Sequence, residues 1–174
     1  MGATSDDIVL AVASALKTLS MSGDGVTAAS LAHAKKLCSL TASSWRVSQR
    51  KIAAVAGSLR VLKLHGCLGV DDTVLAPLAG SAITELFVSV APALTDAGLA
   101  AALAGTRVRS LGVSSCRGIS GACFAALAEL KELDVSYTPV GDSALAPLAG
   151  RLRKIIFLGS HITDAAKSCL EPDD

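Results

Sequence analysis

A short apolar pattern returns along this chain every twenty-odd residues, and no other feature limits its fold as severely. From Leu59 it reads Leu59-x-x-Leu62-x-Leu64-x-x-Cys67-x-x-Val70, followed by Leu75 and Leu78. It returns as Val108-x-x-Leu111-x-Val113-x-x-Cys116-x-x-Ile119, followed by Phe124 and Leu127. A third copy runs from Leu130 through Leu133, Val135, Thr138, Val140, Leu145 and Leu148, and looser copies begin at Ile83 and Leu152. Two more begin upstream at Leu16 and Leu37. The seven starts (16, 37, 59, 83, 108, 130 and 152) lie 21 to 25 residues apart. A fixed period in this range is the signature of a stacked repeat architecture.

Elementary geometry accounts for the residue types. The last two apolar residues of Leu-x-x-Leu-x-Leu lie two apart, as one face of a short strand requires. A residue that caps helix N-termini follows the next apolar position in every copy: Thr27, Ser48, Asp71, Thr95, Ser120, Gly141 and Thr163. A short helix is expected to begin at each, with apolar pairs such as Leu75/Leu78 and Leu145/Leu148 turned inward. One such unit cannot bury its own apolar side, but a stack can.

These motifs resemble the leucine-rich repeat family, and in particular its cysteine-containing subfamily, whose unit continues Cys-x-x-Ile-Thr-Asp-x-Gly-Leu. Leu94-Thr95-Asp96-Ala97-Gly98-Leu99 and Ile162-Thr163-Asp164 match best, and Cys67 and Cys116 occupy the cysteine position. Asp24, Trp45, Ala91, Thr138 and Ser160 replace that cysteine in the other copies. The resemblance implies an α/β leucine-rich repeat solenoid, a right-handed β-α superhelix of about seven repeats with a parallel sheet on its concave face. Residues 1–15 are assigned to an N-terminal capping helix, with Asp6-Asp7 capping a helix from Ile8 to Ala15. Residues 16–174 are assigned to the repeats, ending in a short helix from Asp164 to about Leu170 and the tail Glu171-Pro172-Asp173-Asp174. Asp6-Asp7-Ile8-Val9-Leu10, Leu37-Cys38 and Trp45 faintly echo an F-box, but Leu37, Leu40 and Trp45 already fit the repeat register.

Composition narrows the function classes. Sixteen Lys+Arg against fifteen Asp+Glu leave a formal charge of +1, so bulk charge gives no pull toward nucleic acid or membranes. No apolar run approaches the roughly 18 residues of a membrane span. Five cysteines without paired spacing point to free thiols in a reducing compartment, taken as the cytoplasm. Asp6 and Asp7 stand where a secretory or mitochondrial presequence would carry positive charge.

The strand positions between and after the two apolar residues face away from the core. One row is Ser20, Thr41, Lys63, Phe87, Gly112, Asp134 and Ile156; the next is Ser22, Ser43, His65, Ser89, Ser114, Ser136 and Leu158. From these and Glu85, the candidate partner-binding residues are Lys63, His65, Glu85, Phe87, Asp134, Ile156 and Leu158. Gly112 is expected to leave room beside the Phe87 ring for a partner side chain. Ile156 and Leu158 mark the C-terminal end as an uncapped interface for a partner or an edge-to-edge second copy. His65 between Ser43 and Ser89 invites a Ser-His hydrolase reading, but Asp134 lies about 14 Å away by strand spacing. No oxyanion donors are apparent either. Lys17, Arg60, Arg109, Lys131 and Arg153 form a basic rim suited to an acidic protein segment; RNA is disfavoured by an aromatic content of 3%. With no Cys-x-x-Cys, His-Glu-x-x-His or phosphate loop, no metal or cofactor is expected.

The expected function is a non-enzymatic scaffold or adaptor that binds a protein through its concave face. The resemblance also implies narrower versions: a substrate-recognition subunit of a ubiquitin ligase, an assembly factor like the mitochondrial ATP synthase coupling factor B, or a ciliary adaptor. The last two would place the chain in mitochondria or cilia.

Overall fold

The computed structural model describes residues 4–168. Seven strands form one parallel sheet in chain order: β1 (Thr18–Ser22), β2 (Ser39–Ser43), β3 (Val61–His65), β4 (Glu85–Ser89), β5 (Ser110–Gly112), β6 (Glu132–Asp134) and β7 (Lys154–Ile156). The register aligns Leu19, Leu40, Leu62, Leu86, Leu111, Leu133 and Ile155 across the sheet. This is the spacing read from the repeat. Leu40, Leu62, Leu86 and Leu111 are fully buried, and Leu64 and Val88 lie with them in one continuous core. Trp45 is also fully buried, as its place in the repeat register requires.

Outside the sheet each repeat returns through a short helical segment. These are α2 (Ala28–His33), α3 (Gln49–Ala53), α4 (Asp72–Leu75), α5 (Asp96–Leu103) and α6 (Asp164–Ser168). Thr27, Asp71 and Thr95 cap their helices by accepting a backbone N–H, at 3.4, 2.9 and 3.2 Å. Ser120 does not start a helix, contrary to the repeat pattern. Gly121 beside it has φ +94°, outside helical space, and only a 3₁₀ turn at Phe124–Ala126 follows. The sixth repeat likewise has 3₁₀ turns at Asp142–Ala144 and Ala146–Leu148. The pentapeptide Ala-Pro-Leu-Ala-Gly occurs at 76–80 and 146–150, and both copies form a 3₁₀ turn closed by a glycine at φ +68°.

The N-terminal helix begins three residues before the expected Ile8. α1 spans Ser5–Val12, and its cap is Thr4, not Asp6-Asp7. The Thr4 N–H donates to Asp7 Oδ2 (2.9 Å) and the Asp7 N–H to Thr4 Oγ1 (3.3 Å), a reciprocal capping box. α1 packs on α2 through Val9, while Ile8, Leu10 and Val12 stay exposed. The expected tail Glu171-Pro172-Asp173-Asp174 lies outside the described residues.

Asp6 has another task. It accepts the Thr27 N–H (2.8 Å) and the Ser30 hydroxyl (2.5 Å) of the next unit. Further along, Asp72 accepts the N–H and hydroxyl of Thr95 (2.8 and 2.7 Å), and Asp142 those of Thr163 (2.8 and 2.9 Å). Asp96 reaches further and takes donors from Ser120, Gly121 and Cys123. Carboxylates on the helix side thus bolt one repeat to the next through charge-assisted bonds. Gly98 makes room for one of them, since a Cβ there would lie 1.9 Å from Asp72 Cγ.

A second device turns the chain out of every strand. The residue after the second open-face row is left-handed in all seven repeats: Gly23, Ser44, Gly66, Val90, Ser115, Tyr137 and Gly159, with φ between 50° and 78°. Four of these carry side chains, and Val90 is β-branched, so the turn is held against local preference by the stack.

Candidate functional site

The two open-face rows form as expected over the first strands. Ser22 pairs with Ser43, Ser43 with His65, and His65 with Ser89, while Lys63, Phe87, Gly112, Asp134 and Ile156 stand in one cross-strand line. Phe87, Asp134 and Ile156 share a small recess of about 70 Å³.

Several of these residues answer to one another. Phe87 lies over Gly112, where a Cβ would sit 2.4 Å from its Cδ1. The gap expected at Gly112 is therefore filled by Phe87 itself and is not left for a partner. Lys63 Nζ sits 4.9 Å from the centre of the same ring and 4.0 Å from Glu85 Oε2. Phe87→Ala is accordingly expected to cost about 1–2 kcal/mol, less than the 3–5 typical of a fully buried ring because Phe87 is half-buried. Thermal melting showing no change would mean the ring contributes nothing to the stack.

Asp134 is engaged on both oxygens, by the Ser114 hydroxyl (2.9 Å) and the Ser136 N–H (2.9 Å). It does not orient His65, which sits three strands away on β3. The His65 side chain is exposed and has no hydrogen bond to any described side chain, and Ser89 Oγ instead accepts the Gly66 N–H (3.3 Å). A proton relay for a serine nucleophile is not assembled among the described residues.

Cys67, Cys116 and Cys123 are buried, and Cys38 is half-buried. Cys67 Sγ donates to the Ala42 carbonyl (3.4 Å) and Cys116 Sγ to that of Val88 (3.7 Å), bridging the core from one repeat to the preceding one. Burial pushes both thiols above their ordinary range, and burial with the neighbouring Asp96 pushes Cys123 up to about 12. Protonated buried thiols are poor nucleophiles and poor metal ligands. Among the described residues no group of three or more His, Cys, Asp or Glu could hold a metal, and no helix is long and apolar enough to cross a membrane.

The basic rim is a structural line. The Lys17 carbonyl accepts the N–H groups of Cys38 and Ser39, and the same double acceptance repeats at Cys38, Arg60, Thr84, Arg109 and Lys131. The last of these bonds fixes Arg153. Part of its charge is compensated. Arg109, Lys131 and Arg153 border a cleft of about 640 Å³ together with Glu85, Glu129 and Glu132, and Arg109 pairs with Glu129 at 3.3 Å.

The last described strand and the turn after it present apolar side chains. Ile156 is 37% and Leu158 65% exposed, and both border a recess of about 630 Å³ that Ile155, Phe157 and Ile162 also line. Sequence reasoning missed Tyr137, 61% exposed on the adjacent repeat, whose ring lies where a Cβ on Gly159 would stand, 2.6 Å from its Cδ1. The signal was available: Phe87/Gly112 and Tyr137/Gly159 are both an aromatic followed one repeat later by glycine at the same position. Val90, exposed and left-handed, had no such marker.

No protein-family model and no curated protein sequence matches this chain. Solved structures do match, among them internalin C2 from Listeria monocytogenes str. 4b F2365, with a TM-score of 0.56 and 17% identity. The alignment covers 89% of this chain and 76% of that one, and internalin C2 is a leucine-rich repeat protein. This chain has the leucine-rich repeat fold. At that identity the likeness concerns the fold alone.

Proposed function

We propose that the chain is a non-enzymatic protein-interaction scaffold that takes its partner on the C-terminal half of the sheet's open face and on the outer edge of β7. The observation that carries this reading is the group Tyr137, Ile156 and Leu158. Three large apolar side chains stand exposed beside a strand with no neighbour on its outer side among the described residues. Aromatic and aliphatic anchors of this kind dominate binding energy when a partner desolvates them, and an open strand edge offers backbone groups for pairing. Lys63, His65, Glu85, Phe87 and Asp134 would frame the contact on the N-terminal side, and the basic rim would favour an acidic segment. Buried Cys67 and Cys116 favour the cysteine-containing subfamily, and free thiols at Cys38, Cys67, Cys116 and Cys123 favour a reducing compartment.

The double variant Ile156→Ser/Leu158→Ser tests the reading. Complexes recovered at native expression level, or self-association followed by sedimentation, should be lost while circular dichroism stays unchanged. A variant that keeps the same partners and assembly state would remove this end as the interface. Labelling of Ser43 or Ser89 by a fluorophosphonate would instead favour a hydrolase.

A further inference from the structure

The rim cations border two clefts of different charge balance, and Arg109 lines both. On one side of Arg109 the cations face Glu85, Glu129 and Glu132, as described above. On the other side lies a separate recess of about 490 Å³ bordered by Arg60, Arg107 and Arg109, and no carboxylate lines it. Arg60 and Arg107 have no ion-pair partner among the described residues, and Arg109 shares its guanidinium with Glu129. In a chain of net charge +1 this is a local surplus, not a reflection of bulk charge.

The backbone holds this surplus open. Arg60, Thr84 and Arg109 are consecutive on the rim, so Arg60 and Arg109 stand about 10 Å apart by strand spacing, with only the short Thr84 side chain between them. The Thr84 hydroxyl donates to the Arg60 carbonyl (3.2 Å), which ties it to the backbone of the preceding repeat. Gly80 and Gly105, stacked turns of successive repeats joined by the Gly80 N–H to Ala104 carbonyl bond (2.8 Å), put no side chain into the space. Ser81, also in the wall, has an enclosed hydroxyl with no hydrogen-bond partner.

We propose that this recess binds a phosphate monoester, with Arg60 and Arg107 as its main ligands and Arg109 as a third. Guanidinium groups match phosphate oxygens with paired N–H donors. A dianion balances the two uncompensated arginines, whereas a carboxylate leaves one of them unmatched. The recess is far larger than a lone phosphate and has space for the chain that carries the ester, which points to a phosphorylated serine or threonine side chain over free phosphate. This site is independent of the apolar side chains at the last described strand and does not require the partner proposed there.

The test is calorimetric titration of the full chain with N-acetyl-O-phosphoserine methylamide, beside inorganic phosphate and N-acetylglutamate. Arg60→Gln and Arg107→Gln should each weaken the phosphoserine derivative about tenfold, the loss of one charge-assisted contact. Arg153→Gln, in the acid-lined cleft, should leave it unchanged. Glu129→Gln should tighten binding severalfold by releasing Arg109, a gain that a merely structural role for these residues would not produce. All four side chains are on the surface, so melting temperatures should match the parent. The proposal is overturned by no saturable binding at millimolar concentration, or by equal affinity for inorganic phosphate or N-acetylglutamate. Arg153→Gln weakening binding as much as Arg107→Gln, or a single-stranded RNA displacing the phosphoserine derivative at lower concentration, would overturn it too.

Discussion

Leu111→Asp is expected to unfold the central repeats and not merely to loosen its own. Leu111 is fully buried on β5, between Leu86 and Leu133 in the apolar line that runs through all seven strands. An aspartate there would place a carboxylate in the core with no partner, at a cost of several kcal/mol against a total stability of about 5–15 for a chain of ordinary size. Because each repeat is stabilised by its neighbours, the loss spreads to both sides of the stack. Circular dichroism should show the cooperative transition lowered by tens of degrees or abolished. Thr41→Asp, on the open face of β2, should change stability by no more than about 0.5 kcal/mol. An unchanged melting temperature for Leu111→Asp would contradict the burial on which the whole register rests.

The second large effect is expected at Asp96. Its two oxygens accept the Ser120 N–H and hydroxyl (2.8 and 2.7 Å) and the N–H groups of Gly121 and Cys123 (3.0 and 3.4 Å). This junction needs the bolt most, because the fifth repeat has no α-helix to pack against α5. Asp96→Ala would orphan these donors and should cost about 2–3 kcal/mol. Burial works to raise the Asp96 carboxyl, but the bonds from Ser120 and Cys123 outweigh it and hold the group below its ordinary range. A carboxyl depressed in the folded state stabilises fully above its unfolded value, near pH 4, and the contribution is lost as pH falls through the folded value. Asp6, lowered chiefly by the Ser30 hydroxyl, and Asp71, lowered by the Val74 N–H, shift in the same direction. Acid below about pH 4 should therefore destabilise the protein, and Asp96→Asn should flatten that dependence. Parallel pH–stability curves for the two proteins would show that the Asp96 charge contributes nothing.

The candidate site was legible where it depended on period alone. Lys63, Phe87, Asp134 and Ile156 could be set in one line because side chains alternate along a strand and the repeat supplies the register. Their engagements could not be read in the same way. Asp134 turns to Ser114 and Ser136, and Phe87 covers Gly112, because neighbouring strands differ in what they leave vacant. The basic row was visible as a row, but its division into a compensated and an uncompensated cleft was not. That division rests on Glu129, on Arg107 and on glycine turns that lie outside the strand frame.

What the residues determined by themselves is whatever a few neighbouring positions decide. Alternating Leu62 and Leu64 make a strand with one buried face, Thr27 and Thr95 cap the helices that follow them, and a period of 21 to 25 residues stacks the units into a parallel sheet. These are local energies, repeated until they agree. The tertiary structure alone decided which convex segments became α-helix and which tightened to 3₁₀ turns, and that Ser44, Val90, Ser115 and Tyr137 would share a left-handed turn with three glycines. None of those four prefers that conformation, so nothing in their identity announces it. The adjacent repeats impose it: the N–H groups of Ser44, Val90, Ser115 and Tyr137 each donate to a carbonyl of the next repeat, that of His65, Ser114, Ser136 and Leu158 (3.1, 3.1, 2.8 and 2.7 Å), a bond that continues the sheet into the turn.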